Sequence, residues 1–186
     1  MRMFTGIPIP DEPKEELIKA QEQLKGIPLK ASWTKPENLH ITLKFLGEVD
    51  DAMVPQITKA LEGSPCPQGS FIATLEECGI FPNLRTPRIA WISLSRGEKE
   101  VKHIFKHIQK SLLSFGFGKE KRPFKSHITL GRIKYVKDTS ALIQRFEELN
   151  LEKISWQING FILYKSILTS GGPIYEAIKE YPLQAT

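Results

Sequence analysis

The tetrapeptide His-Ile-Thr-Leu occurs twice in this 186-residue chain, as His40-Ile41-Thr42-Leu43 and as His127-Ile128-Thr129-Leu130, each time inside an apolar run of strand character. Side chains alternate along a strand, so in each copy His and Thr share one face while Ile and Leu share the other, where a core takes them. The copies also divide the chain into comparable halves whose surroundings repeat. In the first half, residues 2–8 read as a strand, Asp11 and Glu12-Pro13 open a helix over Lys14–Leu24 with Leu17, Ile18, Ala20 and Leu24 as its apolar stripe, and a loop leads to a His strand over 38–46. Asp50 or Asp51 caps a second helix that runs to Gly63, with Val54, Ile57, Ala60 and Leu61 at helical spacing. Strands over 70–79 and 88–95 follow, separated by a turn at Phe81-Pro82-Asn83. The second half has a helix over Glu98–Leu113 with Val101, Ile104, Phe105, Ile108 and Leu112 on one face, a His strand over 126–135 and a helix over 138–149. Two last strands, 153–166 and 174–182, meet at a Gly171-Gly172-Pro173 turn. A helix, a His strand, a helix and further strands in each half predict an α+β fold of two pseudo-symmetric lobes around a central groove, the product of a duplication.

If the two His strands face that groove, it holds two imidazoles and two hydroxyls. Imidazole titrates near neutrality, so one ring accepts a proton while the other donates one, and the hydroxyls anchor an anion. Such a set suits a phosphodiester, whose negative charge carboxylates would repel. One His-x-Thr on a strand is ordinarily structural; two identical copies in matching contexts are not so easily explained.

The charge balance agrees, modestly. Lys and Arg number 26 against 21 Asp and Glu, a formal charge of +5, which favours a polyanionic partner. Cys66, between Pro65 and Pro67, and Cys78 have no zinc or redox spacing and read as reduced structural thiols. The short apolar run from Phe4 is broken by Pro8 and Pro10, no segment is long and apolar enough to span a bilayer, and a cytoplasmic protein with no membrane association is expected. His103 and His107 stand four apart on the long helix, but opposite its apolar face and without a third ligand, so they read as solvated and a metal-free, cofactor-free mechanism is expected. Gly171-Gly172 lacks the Gly-Lys-Ser or Gly-Lys-Thr that would make it a triphosphate loop.

Several residues are candidates for substrate contact. Lys44 shares the face of His40 and Thr42 under strict alternation, whereas Arg132 points away from His127 unless a bulge intervenes. Lys119, Lys121, Arg122 and Lys125 crowd the approach to the second motif, where they would attract an RNA backbone. Trp33, Phe124 and Tyr175 adjoin motif positions and are candidate base-stacking platforms, while Trp91 and Phe45 read as core.

Taken together, these stretches resemble the RNA 2′,3′-cyclic phosphodiesterases, also called 2′-5′ RNA ligases, within the two-histidine phosphoesterases. The resemblance rests on Arg2-Met3-Phe4, on Asn38-Leu39-His40-Ile41-Thr42-Leu43-Lys44-Phe45-Leu46-Gly47, on Phe81-Pro82-Asn83 with Pro87-Arg88 and Trp91, on His127-Ile128-Thr129-Leu130-Gly131-Arg132, and on Tyr164-Lys165-Ser166 with Gly172-Pro173-Ile174-Tyr175. Lys125-Ser126, before the second His, departs from the pattern of many relatives, which carry other residues there. The resemblance implies one bilobal domain over residues 1–186, with antiparallel sheets lining a central cleft, helices outside and one His-x-Thr strand from each lobe. It implies hydrolysis of RNA 2′,3′-cyclic phosphate ends to 2′-phosphomonoesters, with His40 as proton donor, His127 as proton acceptor, Thr42 and Thr129 on the phosphate, and Arg132 close by. The residues alone leave the direction of proton transfer open. Run backwards, the same groups join a cyclic phosphate to a 5′-hydroxyl through a 2′-5′ bond. The expected partner is RNA with cyclic phosphate ends, tRNA fragments among them, met by a monomer. The competing readings are a non-catalytic nucleotide- or RNA-binding module, and a phosphodiesterase for small cyclic nucleotides or 2′-5′ oligoadenylates.

Overall fold

The two His strands lie side by side at the centre of the sheet, antiparallel, and their ladder consists of a single residue pair, Ile41 opposite Ile128. The computed structural model of the chain describes residues 1–63, 66–118 and 123–184. In chain order the elements are β1 (Arg2–Pro8), α1 (Asp11–Lys25), β2 (Leu29–Trp33), β3 (His40–Glu48), α2 (Val54–Glu62), β4 (Phe71–Phe81), β5 (Ile89–Arg96), α3 (Glu98–Ser111), β6 (Ile128–Val136), α4 (Thr139–Glu148), β7 (Ser155–Ile158), β8 (Gly160–Thr169) and β9 (Gly172–Pro182). The nine strands form one sheet in the order β7-β4-β5-β6-β3-β1-β8-β9, with β2 paired to β6. All pairings between these strands are antiparallel. The α+β class holds, and the sheets of the two lobes are continuous through Ile41 and Ile128, both fully buried.

The lobes are not the two halves of the sequence. One lobe is β3, β1, β8 and β9, and the other is β6, β5, β4 and β7. Strand β4 therefore leaves the first half to join the second lobe, and the β8–β9 hairpin returns from the second half to the first. The helices cross over too, since α1 packs on β6 and α4, whereas α3 packs on β3, β5 and α2. These exchanges bind each half to the other through the core.

The helices form where their apolar spacing places them. On α3, Val101, Ile104, Phe105 and Ile108 are buried, and on α1 Leu17, Ala20 and Leu24 are. Burying each of these side chains larger than alanine contributes roughly 1.5–3 kcal/mol relative to exposure. Asp50 accepts from the Ala52 amide at the turn into α2, and Asp138 accepts from the Ser140 and Ala141 amides to start α4, so two orphan helix ends are satisfied by aspartates. Strand β2 has no counterpart in the sequence reading, which makes this stretch a loop. Its five residues, Leu-Lys-Ala-Ser-Trp, alternate too briefly to stand out, and their order comes from pairing Leu29 to Val136 and Trp33 to Gly131 on β6. Strand identity here is a tertiary effect.

Candidate active site

A cleft of about 760 Å³ runs across β3 and β6, and His40, Thr42, His127 and Thr129 all line it. What else lines it is decided by two bulges at matching positions. On β3, Thr5 and Gly6 of β1 face Lys44 and Thr42, which leaves Leu43 as an extra residue. On β6, Ala90 and Trp91 of β5 face Gly131 and Thr129, which leaves Leu130 extra. An extra residue reverses the alternation beyond it. Phe45 and Arg132, each five residues after its His, therefore turn into the cleft, while Lys44 turns to the buried face and Gly131 is buried beneath Trp33.

This re-aiming corrects two readings. Strict alternation puts Lys44 beside His40; instead it is 3% exposed, with its Nζ donating to the Gly118 carbonyl at 2.9 Å. Phe45 reads as core from its apolar neighbours; instead it lines the cleft and is 57% exposed. Arg132 lines the cleft because of the second bulge.

Both imidazoles are held in the same way. His40 Nδ1 lies 2.7 Å from the Asn38 carbonyl, and His127 Nδ1 lies 2.8 Å from the Lys125 carbonyl, in each case two residues upstream. A carbonyl only accepts, so Nδ1 carries the proton, and the neutral ring keeps a lone pair on Nε2. His40 Nε2 is 2.8 Å from Thr42 Oγ1. The Thr42 hydroxyl donates to a neutral ring and accepts from a protonated one.

Burial pushes both histidines below the ordinary imidazole range. For His40 burial leads, the Asn38 carbonyl opposes it, and the charge of His127 adds to the lowering. For His127 burial again leads and the Lys125 carbonyl opposes, while the cations of Lys125 and Arg132 push further down. Desolvation disfavours the charged ring, and an arriving anion would reverse that preference. The two rings thus differ in their neighbours, with the fixed cations acting on His127.

Aromatic side chains wall each ring. Around His40 stand Phe4 at 4.9 Å, Tyr175 edge-on at 5.3 Å and Tyr164 at 6.4 Å between ring centroids. Against His127 stand Phe81, edge-on at 5.2 Å, and Trp91 at 6.3 Å. Burial pushes the Tyr164 phenol up to about 12, so it stays neutral through the physiological range. Burial also raises Tyr175, with Arg132 and Arg2 opposing. Lys125, which lines the cleft, lays its Nζ 4.1 Å from the centre of the Trp91 ring and 5.7 Å from that of Phe81, a cation over both rings that flank His127.

Trp33, Phe124 and Tyr175, the candidate stacking residues, all line the cleft. Trp33 lies over Gly131, where a Cβ would come within 2.7 Å of the indole. Phe124 stacks on Phe105 of α3 at 4.3 Å. Lys119, Lys121 and Arg122 fall outside the described residues. Lys35 also lines the cleft, as does the β8–β9 turn at Thr169–Pro173, which the sequence marks as a turn between the last two strands and not as a substrate wall. The one signal for Lys35 is its place between Trp33 and the first motif; the turn lies far off in sequence.

Among the described residues no group of three His, Cys, Asp or Glu side chains is placed to hold a metal ion. His103, on the exposed side of α3, lies 3.4 Å from Gln68 Oε1. The Cys78 thiol is pushed up to about 12 by burial, which leaves it unreactive as a thiolate.

The chain matches the LigT-like phosphoesterase family twice, over residues 7–91 and 92–175, one His-x-Thr motif in each match. It is 40% identical over 184 residues to an RNA 2′,3′-cyclic phosphodiesterase of Methanocaldococcus jannaschii, covering 97% of this chain and 100% of that protein. Its identity to the protein of the same name from Thermotoga maritima is 32%, over 97% of this chain and 94% of the other. In three dimensions it resembles the crystal structure of the protein TT0787 of Thermus thermophilus, with a TM-score of 0.82, 25% identity and coverage of 100% and 99%. No helix among the described residues is long and apolar enough to cross a membrane.

Proposed function

The chain belongs to the LigT-like phosphoesterase family, and from that premise we propose that it is an RNA 2′,3′-cyclic phosphodiesterase working by metal-independent acid–base catalysis with two histidines. The observation that carries the mechanism is the pair of Nδ1-anchored imidazoles, one from each His strand, lining one cleft. Anchoring at Nδ1 turns each Nε2 to the cleft for proton transfer, that of His40 exchanging its Thr42 partner for the substrate. His127 Nε2 takes a proton from a water molecule that attacks phosphorus. As the P–O3′ bond breaks, His40 Nε2–H protonates the departing O3′, and a 2′-phosphomonoester and a free 3′-hydroxyl remain. The Thr42 and Thr129 hydroxyls donate to the non-bridging oxygens, where negative charge shifts in the transition state.

The charges around the two rings support this direction of transfer. Lys125 and Arg132 favour loss of a proton from His127, the base. A bound phosphate anion would draw a proton onto His40, whose lowering comes first from burial and then from the charge of His127. Arg132, Lys125 and Lys35 offer charge to RNA phosphates, and Trp33, Phe45, Phe124 and Tyr175 offer faces to bases. With a 5′-hydroxyl in place of water, the reversed reaction joins RNA ends through a 2′-5′ linkage. We assign these steps to one bilobal domain over residues 1–186 acting as a monomer, since both histidines come from one chain. RNA 2′,3′-cyclic phosphate ends, tRNA fragments included, are its substrates, and its reduced thiols suit a cytoplasmic setting.

Product analysis on an RNA ending in a 2′,3′-cyclic phosphate, in the presence of EDTA, tests the whole reading. A 2′-phosphate product at an undiminished rate is expected. Loss of turnover in EDTA that added zinc or magnesium restores would replace the mechanism with a metal-dependent one.

A further inference from the structure

We propose that Asn38 is a positioning residue for His40, tying the orientation of that ring to the β8–β9 hairpin that walls the cleft. Asn38 is 5% exposed and makes two contacts that lead to the same ring from opposite sides. Its backbone carbonyl holds His40 Nδ1 at 2.7 Å. Its side-chain Nδ2 donates to the Pro173 carbonyl of the hairpin, also at 2.7 Å. Two residues beyond Pro173, Tyr175 packs edge-on against the His40 imidazole, with centroids 5.3 Å apart at 89°. The contacts close into a circuit that runs from the Asn38 backbone through the His40 ring and Tyr175 to Pro173, and back through the Asn38 carboxamide.

The tether matters because of where the hairpin sits. Strand β9 is the last in the sheet order, paired only to β8, so its tip has no further strand to hold it. At that tip Leu168 is 67% and Ile174 is 51% exposed. Thr169–Pro173 nevertheless lines the cleft. The Asn38 hydrogen bond to Pro173, together with the packing of Tyr175 on Phe4 and His40, registers this ribbon against His40.

The second motif repeats the plan with different chemistry, which makes the first one more than incidental. Lys125, like Asn38, stands two residues before its His and gives its carbonyl to Nδ1. Its side chain also reaches the wall of the same ring, lying over Trp91 and Phe81. At both sites, then, one residue fixes the tautomer through its backbone and clamps the neighbouring aromatic wall through its side chain. Near His127 the clamp is a cation at the cleft surface; near His40 it is a buried neutral amide.

The proposal rests on His40 being a proton-transferring group, and the experiment separates the two. Asn38→Leu removes the amide donor, and Asn38→Asp removes it while keeping the shape; in both, the backbone carbonyl to Nδ1 remains. The measurements are steady-state kinetics on a dinucleotide ending in a 2′,3′-cyclic phosphate and the ¹H–¹⁵N resonance of the His40 Nδ1–H in substrate-free protein, assigned by its loss in His40→Gln. We expect kcat to fall on the order of tenfold to a hundredfold, because small misplacements of a reacting group carry costs of this order. KM should rise by no more than about twofold, the signature of a lost orientation rather than a lost binding contact. The His40 Nδ1–H signal should broaden or disappear while that of His127 persists. If both variants keep kcat and the His40 signal, or lose stability while the folded fraction turns over normally, the tether is structural and the proposal is overturned. If the wild-type protein turns over no cyclic phosphate, the functional reading fails, and the resonance comparison still decides whether Asn38 orients His40.

Discussion

Gly79→Ala is the smallest change that should reach His127 from outside the cleft. Gly79 on β4 lies directly opposite Trp91 on β5, and the indole lies across it. A Cβ at residue 79 would stand 2.3 Å from Trp91 Cζ2, 2.6 Å from Cη2 and 2.7 Å from Cε2. Carbon atoms pack best at about 3.5 Å or more, so the ring must withdraw by about 1.2 Å to make an ordinary contact. It has little room, because Trp91 is stacked on Phe81 at 4.6 Å and carries the Lys125 ammonium on its ring. Overpacking of this kind costs about 1–3 kcal/mol, a sizeable part of a domain stability of roughly 5–15 kcal/mol. Any retreat displaces Phe81 or Lys125, both of which bear on His127, and a shift near 1 Å at the reacting group costs on the order of a hundredfold in rate. The assays are urea unfolding and kcat on a short cyclic-phosphate substrate, each measured on Gly79→Ala, on Trp91→Phe and on the double variant. The smaller Phe ring lacks the atoms that collide, so the double variant should regain stability relative to Gly79→Ala, a coupling of about 1 kcal/mol or more. An unchanged urea midpoint in Gly79→Ala, or destabilisation that Trp91→Phe leaves untouched, would refute the packing argument.

His40→Ala and His127→Ala should each lower turnover by roughly a hundredfold to ten-thousandfold, with the double variant little worse than either, as expected for groups that act as a unit; near-normal rates in either folded variant would end the two-histidine mechanism. Stability should depend on pH through the same residues. Both rings have folded pKa values below the unfolded imidazole value near 6.5, so the unfolded chain binds more protons between the two, and their contribution is complete above about pH 6.5 and lost as pH falls toward the folded values. A urea midpoint that falls between pH 7 and pH 5 in the wild type, and falls less in His40→Gln, is the expected pattern; identical slopes would contradict it. Lys44→Met keeps the length of the side chain but removes the donor to Gly118. It should cost on the order of 1–3 kcal/mol of stability without changing turnover by the folded enzyme, and a raised KM for a short substrate would put Lys44 back in the cleft.

The parts of this molecule legible in the sequence are those whose signals are local. Helix α3 can be read from the spacing of Val101, Ile104, Phe105 and Ile108 because a helix buries its own stripe wherever it packs. The His-x-Thr pairs can be read because alternation needs only three residues to put His and Thr on one face. Alternation fails at Leu43 and Leu130, where the extra residue exists only in relation to the partner strands β1 and β5. Lys44 and Phe45 thus exchange places, and nothing between residues 38 and 48 announces it. The same holds for β2, whose strand character depends on β6, and for the β8–β9 hairpin, which joins the lobe of the first motif from the far end of the chain.

Two identical tetrapeptides cannot by themselves encode two different catalytic roles. The backbone gives His40 and His127 the same anchoring carbonyl, the same following Thr and the same bulge. Whatever makes one ring a donor and the other an acceptor must therefore come from positions where the repeats diverge. Two residues before each His the chain has Asn38 and Lys125, and five residues after it has Phe45 and Arg132. At both positions the first lobe carries a neutral side chain and the second a cation, and the cations push His127 toward its neutral form. Exchanging them in part, with Arg132→Phe, should raise the pKa of His127 toward that of an ordinary imidazole. The acidic limb of the kcat/KM profile, set by the base in the free enzyme, should then move to higher pH. An unmoved acidic limb in a folded Arg132→Phe variant would mean that the asymmetry of the two rings has another source.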